Sequence, residues 1–160
     1  MTSNSHCILA LDNGTLTCWA LRTADGFITS GAQGFKHGPS EGGGMRYLRL
    51  RRWLTEVHAS AGGIDEIRFK EVGRHAVVNA AHAYGCFLAT LNAWCQHHQV
   101  LYCSVPVDSI ERYATGKGNA SNDKVLAAVQ GLGYTPADGN EGDALALQHF
   151  AVHELKETTT

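Results

Sequence analysis

Residues 7–11 read CILAL, five apolar side chains in a row, and the run halts at Asp12-Asn13-Gly14-Thr15. So short an unbroken apolar segment, closed by turn-forming residues, is a buried strand that ends in a turn. Asp12 then stands at the C-terminal mouth of that strand. Residues 17–22 (TCWALR) and 26–33 (GFITSGAQ) read as further strands, with Asp25-Gly26 as the hairpin signal between them. The chain is therefore expected to open as a three-stranded antiparallel meander.

Helical spacing takes over after the glycine-rich loop 38–44: Leu48, Leu50, Leu54 and Val57 predict a helix over about residues 45–61, ended by Gly62-Gly63. Residues 64–72 (IDEIRFKEV) read as a strand with Glu71 at its end, as Asp12 ends the first. A long segment from Gly73 to about Gln99 is apolar on most sides. Such a helix is buried in a core or in an oligomer interface. Residues 100–105 predict a strand closed by Pro106, and residues 109–114 a short helix. After the flexible turn Gly116-Lys117-Gly118-Asn119, Ser121 or Asn122 caps a helix to about Leu132, and a last element runs from near Asn140 past His153. The order of elements is that of an α/β fold.

A length of 160 residues suits one domain, and 44% apolar with 18% charged residues is the balance of a packed globular chain. The net charge of −2 is lower than nucleic-acid-binding domains usually carry. Yet MRYLRLRRW holds four arginines between Arg46 and Arg52, a local positive field that the average conceals. The five cysteines (Cys7, Cys18, Cys86, Cys95, Cys103) are odd in number, lack CxxC spacing and lie in apolar stretches, so buried free thiols are expected. With no secretory leader pattern and no apolar run near ~20 residues, a cytoplasmic, reducing setting without membrane contact is expected.

Three acids carry the chemistry: Asp12 and Glu71 at strand mouths, and Asp143 in the first turn of the terminal helix. Strand mouths are where α/β folds bind ligands. Taken singly, each reads as a solvated or capping carboxylate. Taken together in one crevice they would repel unless hard cations neutralise them, and a pair of Mg²⁺ ions roughly 3.5–4 Å apart suits phosphodiester hydrolysis.

The same residues carry a resemblance. LALDNGTLTCWAL around Asp12, IRFKEVG around Glu71, the long helix, the Gly-Lys-Gly-Asn-Ala segment and NEGDALAL around Asp143 are collinear, over about residues 7–155, with the RuvC-like Holliday junction resolvases. The likeness is strongest to the small phage-type members of this ribonuclease H-like superfamily. The resemblance implies a mixed five-stranded sheet flanked by helices, and an endonuclease that resolves four-way or other branched DNA by two-metal chemistry. It implies a homodimer formed through the helix at about 74–99. It also implies two Mg²⁺ ions per site, with Mn²⁺ able to substitute: Asp12 bridges both, and Glu71 and Asp143 each hold one.

Two departures from the family pattern leave choices open. Many relatives have an acid or a histidine three residues before the last aspartate, where this chain has the neutral Asn140, which can cap the helix or lend its amide oxygen. Glu141, Asp138 and Asn140 are the candidates for a fourth ligand, with Glu141 favoured although it points about 200° from Asp143 on a regular helix. Asn122 stands where a lysine is common, so phosphate binding falls to Lys117 and Lys124. Arg74, Arg46, Arg49 and Arg52 are the further DNA-contact candidates, against the plainer reading of a solvated helix face. None of the nine histidines has ligand spacing; His75, four residues from Glu71, is the one nearest the site. An RNA-processing or single-strand nuclease of the same fold, or a junction-binding protein without catalysis, are the alternatives.

Overall fold

The computed structural model describes residues 5–14, 16–72 and 78–159. Its elements are β1 (Ile8–Asp12), β2 (Leu16–Arg22), β3 (Ile28–Gly34), α1 (Met45–Ser60), β4 (Glu66–Glu71), α2 (Val78–His98), β5 (Leu101–Pro106), α3 (Val107–Thr115), α4 (Asn122–Gly131) and α5 (Gly139–Thr158). The strands form one sheet in the order β3-β2-β1-β4-β5. β1, β2 and β3 pair antiparallel, while β1–β4 and β4–β5 are parallel. The expected meander and mixed five-stranded sheet are present. The turn between β2 and β3 closes with Gly26 at φ 89°, a conformation glycine adopts without a steric penalty.

β1 is the central strand, and its alternation divides the interior in two. Leu9 and Leu11 join Ile67, Phe69, Leu50, Leu54, Phe87, Leu91 and Trp94 beneath α1 and α2. Ala10 joins Cys18, Ala20, Val105, Ile110, Val125, Val129, Leu145 and Leu147 on the other side. Ala10 of β1 and Cys18 and Ala20 of β2, on the α5 side, are small, which lets the helix lie close to the sheet. α3 and α4 pack on α5 in turn. Residues 142–148 of α5 are consequently all buried. A Cβ at Gly142 would stand 3.2 Å from Leu126 Cδ1, so the α4–α5 contact is tight there as well.

The enclosed helix is thus α5. α2 buries Phe87, Leu91, Trp94 and Cys95 but leaves Val78, Ala80, His82, Gly85, Cys86, Ala89 and Ala93 exposed. Two expectations need correction. Cys7, Cys18 and Cys95 are buried, but Cys86 lies on the outward face of α2 and Cys103 on the edge strand, both exposed. Burial pushes the Cys7 and Cys18 thiols up to about 11 and Cys95 to about 12, which leaves them unreactive. Asn140 does not cap the last helix, because α5 starts one residue earlier and Asp138 occupies the capping position. Among the described residues, no helix is long and apolar enough to cross a membrane.

Since Leu147 is fully buried between α5 and the sheet, Leu147→Ala is expected to lower unfolding stability by about 2–5 kcal/mol in a urea titration. A loss below about 1 kcal/mol, the range of ordinary surface changes, would contradict the enclosed position of α5.

Candidate active site

The pleat decides which side chains meet at the mouth of the sheet. On β1, Asp12 follows Leu11 and so turns to the α5 side with Ala10. β4 runs parallel to β1, with Leu11 opposite Phe69. Ile67 and Phe69 fill the core under α1 and α2, so Arg68 and Lys70 turn to α5. On α5, Asp138 caps the helix by accepting hydrogen bonds at Oδ1 from the Asn140 and Glu141 amides, both at 3.0 Å. That cap fixes the first turn, and Asp143, one turn further in, is buried against the sheet.

Asp12 and Asp143 meet at an ammonium. Lys70 Nζ donates to Asp143 Oδ2 at 2.8 Å and lies 3.4 Å from Asp12 Oδ2. The three side chains are only 19%, 14% and 9% exposed for Lys70, Asp12 and Asp143 respectively. Burial is the largest influence on Asp12 and raises its carboxyl above the usual range; Lys70 opposes this, while the charges of Asp143 and Asp138 add to it. For Lys70, burial works against the charged form, but the two carboxylates outweigh it and hold the ammonium above its ordinary value. One lysine therefore serves two partly buried aspartates with a third close by, and the negative charge is in excess.

Glu71, the last residue of β4, is exposed, and no described contact links it to Asp12 or Asp143. Its backbone is nonetheless held. The Tyr84 hydroxyl of α2 accepts from the Val72 amide at 3.3 Å and donates to the Lys70 carbonyl at 3.2 Å, bracketing Glu71 on both sides. Glu141 is turned elsewhere: Oε1 accepts from the Ser30 hydroxyl at 2.7 Å and Oε2 from the Ala137 amide at 2.9 Å. A regular first turn directs it to β3, away from Asp143. Asn140 is exposed, and Asp138 is the third carboxylate whose charge reaches Asp12. Among the described residues, no group of three or more acidic, histidine or cysteine side chains forms a ready metal cage. The donors that do meet fit a hard cation, since two carboxylate oxygens already converge on one positive centre.

The basic candidates divide between the two layers. Lys117, in the loop after α3, and Lys124, on α4, are exposed on the α5 side of the sheet. The start of α4 adjoins the start of α5, where a Cβ at Gly139 would stand 3.8 Å from Asn122 Cβ. Arg46, Arg49 and Arg52 belong to α1 on the opposite layer. Arg49 is already engaged, with Nη2 at 2.7 Å from Glu41 Oε1 and Nη1 at 2.8 Å from Glu41 Oε2. Arg74 and His75 lie outside the described residues. Lys70, Tyr84 and Ser30 were not anticipated. The signal for Lys70 was the strict alternation of Glu66, Arg68 and Lys70 with Ile67 and Phe69, which turns charges toward a buried helix and demands partners there.

No family model and no curated protein sequence matches the chain. Solved structures do. Thermus thermophilus RuvC in complex with a Holliday junction substrate superposes with a TM-score of 0.81 at 18% identity, over 96% of this chain and 97% of that one. Thermus thermophilus RuvC in a second structure gives 0.75 at 19% identity, over 96% and 97%. The yeast mitochondrial Holliday junction resolvase Ydc2 gives 0.55 at 10% identity, over 98% of this chain and 85% of that one. The fold is thus the ribonuclease H-like fold of the RuvC-type resolvases.

The Glu41 carboxylate, hydrogen-bonded first by Arg49 and then by the Gly38 amide, is held down from 4.5 to about 2. The stability this bridge contributes is present above 4.5 and is lost as pH falls through about 2. In an NMR titration the Glu41 carboxyl is expected to titrate near 2 and to return toward 4.5 in Arg49→Gln. An unchanged midpoint in the variant would show that Arg49 does not hold Glu41 and is free for another partner.

Proposed function

We propose that this chain is a divalent-metal-dependent endonuclease that cuts four-way or other branched DNA. One observation carries the reading: Asp12 and Asp143, at a strand mouth and one turn into α5, converge on a single cation in a fold shared end to end with RuvC. In this reading Asp12 and Asp143 hold the metal, with Glu71 completing its shell from the adjoining strand end. Asp138 is a better candidate than Glu141 for a further oxygen, because both oxygens of Glu141 are engaged. Two Mg²⁺ ions, or Mn²⁺ in their place, would polarise the phosphodiester and activate water for in-line attack. Tyr84 positions Glu71, and Lys117 and Lys124 bind phosphate on the side of the sheet that carries the acids.

We further propose a homodimer through α2, so that two sites face the two equivalent strands of a junction. The exposed face of small residues on α2 supports this, since such residues let two helices approach closely. Two observations favour the rival reading of a junction-binding protein without catalysis: an ammonium stands where a metal would, and Asn140 is neutral.

The test is cleavage of synthetic four-way junctions beside linear duplex, flap and RNA controls, with Mg²⁺, Mn²⁺ or Ca²⁺. The wild type is expected to cut junctions with the first two ions and to sediment as a dimer, and Asp12→Asn is expected to lose at least roughly 100-fold in rate while still binding junctions. Undiminished cleavage by Asp12→Asn removes the catalytic assignment. Binding without cleavage by the wild type under any of these ions leaves the non-catalytic reading in its place.

A further inference from the structure

We propose that Lys70 is a built-in competitor for the metal site: its ammonium closes the Asp12–Asp143 pair when no metal is bound and must leave it for a divalent cation to enter. The inference rests on reading this pair as the metal centre and adds the residue that sets how readily the centre loads.

The geometry carries it. Lys70 Nζ lies 2.8 Å from Asp143 Oδ2 and 3.4 Å from Asp12 Oδ2, so one ammonium spans the oxygens that a metal would need. Mg²⁺ requires oxygens at about 2.0–2.1 Å, and a cation bound there would occupy the volume that Nζ now fills. At that separation two positive centres repel strongly in a site mostly shielded from water, so ammonium and metal exclude one another. The exclusion has a structural side. Lys70 is one of two β4 cations that tie the strand to α5, the other being Arg68, whose Nη1 bonds Glu154 Oε2 at 2.6 Å. The Arg68–Glu154 pair keeps the strand's grip on α5 at that end when Lys70 lets go. Lys70 stands at the mouth of the sheet beside the exposed Glu71, where a lysine side chain has solvent to swing into.

A purely structural salt bridge and a competitor predict different metal binding. In a structural bridge, removing Lys70 loosens the pair and weakens metal binding or leaves it unchanged. In a competitor, removal leaves two partly buried carboxylates facing each other and strengthens it. The experiment measures Mn²⁺ binding to the full chain without DNA, by isothermal titration and by the loss of the free Mn²⁺ electron paramagnetic resonance signal. It compares wild type, Lys70→Met and Lys70→Arg, each with and without Asp12→Asn.

Lys70→Met is expected to bind Mn²⁺ at least ~10-fold more tightly than wild type, to melt at a lower temperature in EDTA, and to gain more on adding Mn²⁺. Lys70→Arg, which keeps the charge and grips carboxylates with two donors, is expected to bind Mn²⁺ no more tightly than wild type and to cover the case in which the methionine variant does not fold. Asp12→Asn should abolish the binding in every background. Mn²⁺ affinity equal or weaker in Lys70→Met, or tighter in Lys70→Arg, overturns the competitor role while leaving the metal centre intact. If no variant shows binding that depends on Asp12, the metal centre itself falls, a separate outcome.

Discussion

Asp143 reaches Asp12 because α5 can lie close to the sheet, and that closeness is a matter of side-chain size. Ala10, Cys18 and Ala20 present small groups to the helix, while Gly142 and Ala146 let α3 and α4 close over its other side. Bulkier residues at the three strand positions would strain the contact and push the helix away from the sheet. Burial of residues 142–148 then obliges any charge among them to find a partner. Asp143 finds Lys70, and Lys70 brings Asp12.

The resulting charge balance sets this mouth apart from an ordinary strut. A buried salt bridge is balanced when each charge has its opposite. Here one ammonium answers Asp12 and Asp143, Asp138 adds its field, and the Asp12 carboxyl is held up in spite of the lysine beside it. Excess negative charge at the end of a parallel strand pair, behind a helix cap that keeps Asp138 in place, is a standing demand for a cation.

Much of this was legible in the sequence, for identifiable reasons. The strands stood out because their apolar runs end in turn residues, and Asp12 because it sits where such a run stops. Asp143 was visible through its place in a helix start. Lys70 was not, because residues 64–72 read as a strand without showing which face is covered, and the charged side of the strict alternation over residues 66–70 faces protein and not solvent. Glu141 is the favoured fourth ligand in the sequence, whereas the cap directs it to Ser30. The enclosure of α5 was hidden, since hydrophobic content alone does not reveal which helix has neighbours on every side. Cys86 and Cys103 were misplaced for the same reason: apolar company in sequence is not burial in space.

The most direct measurement is anomalous diffraction from crystals soaked in Mn²⁺. The expected map carries a Mn²⁺ peak at coordination distance, roughly 2–2.6 Å, from carboxylate oxygens of both Asp12 and Asp143, with the Lys70 side chain withdrawn from between them. A map without a peak at that position, and with Lys70 still bridging the two aspartates at saturating Mn²⁺, would contradict the assignment of this pair as a metal centre.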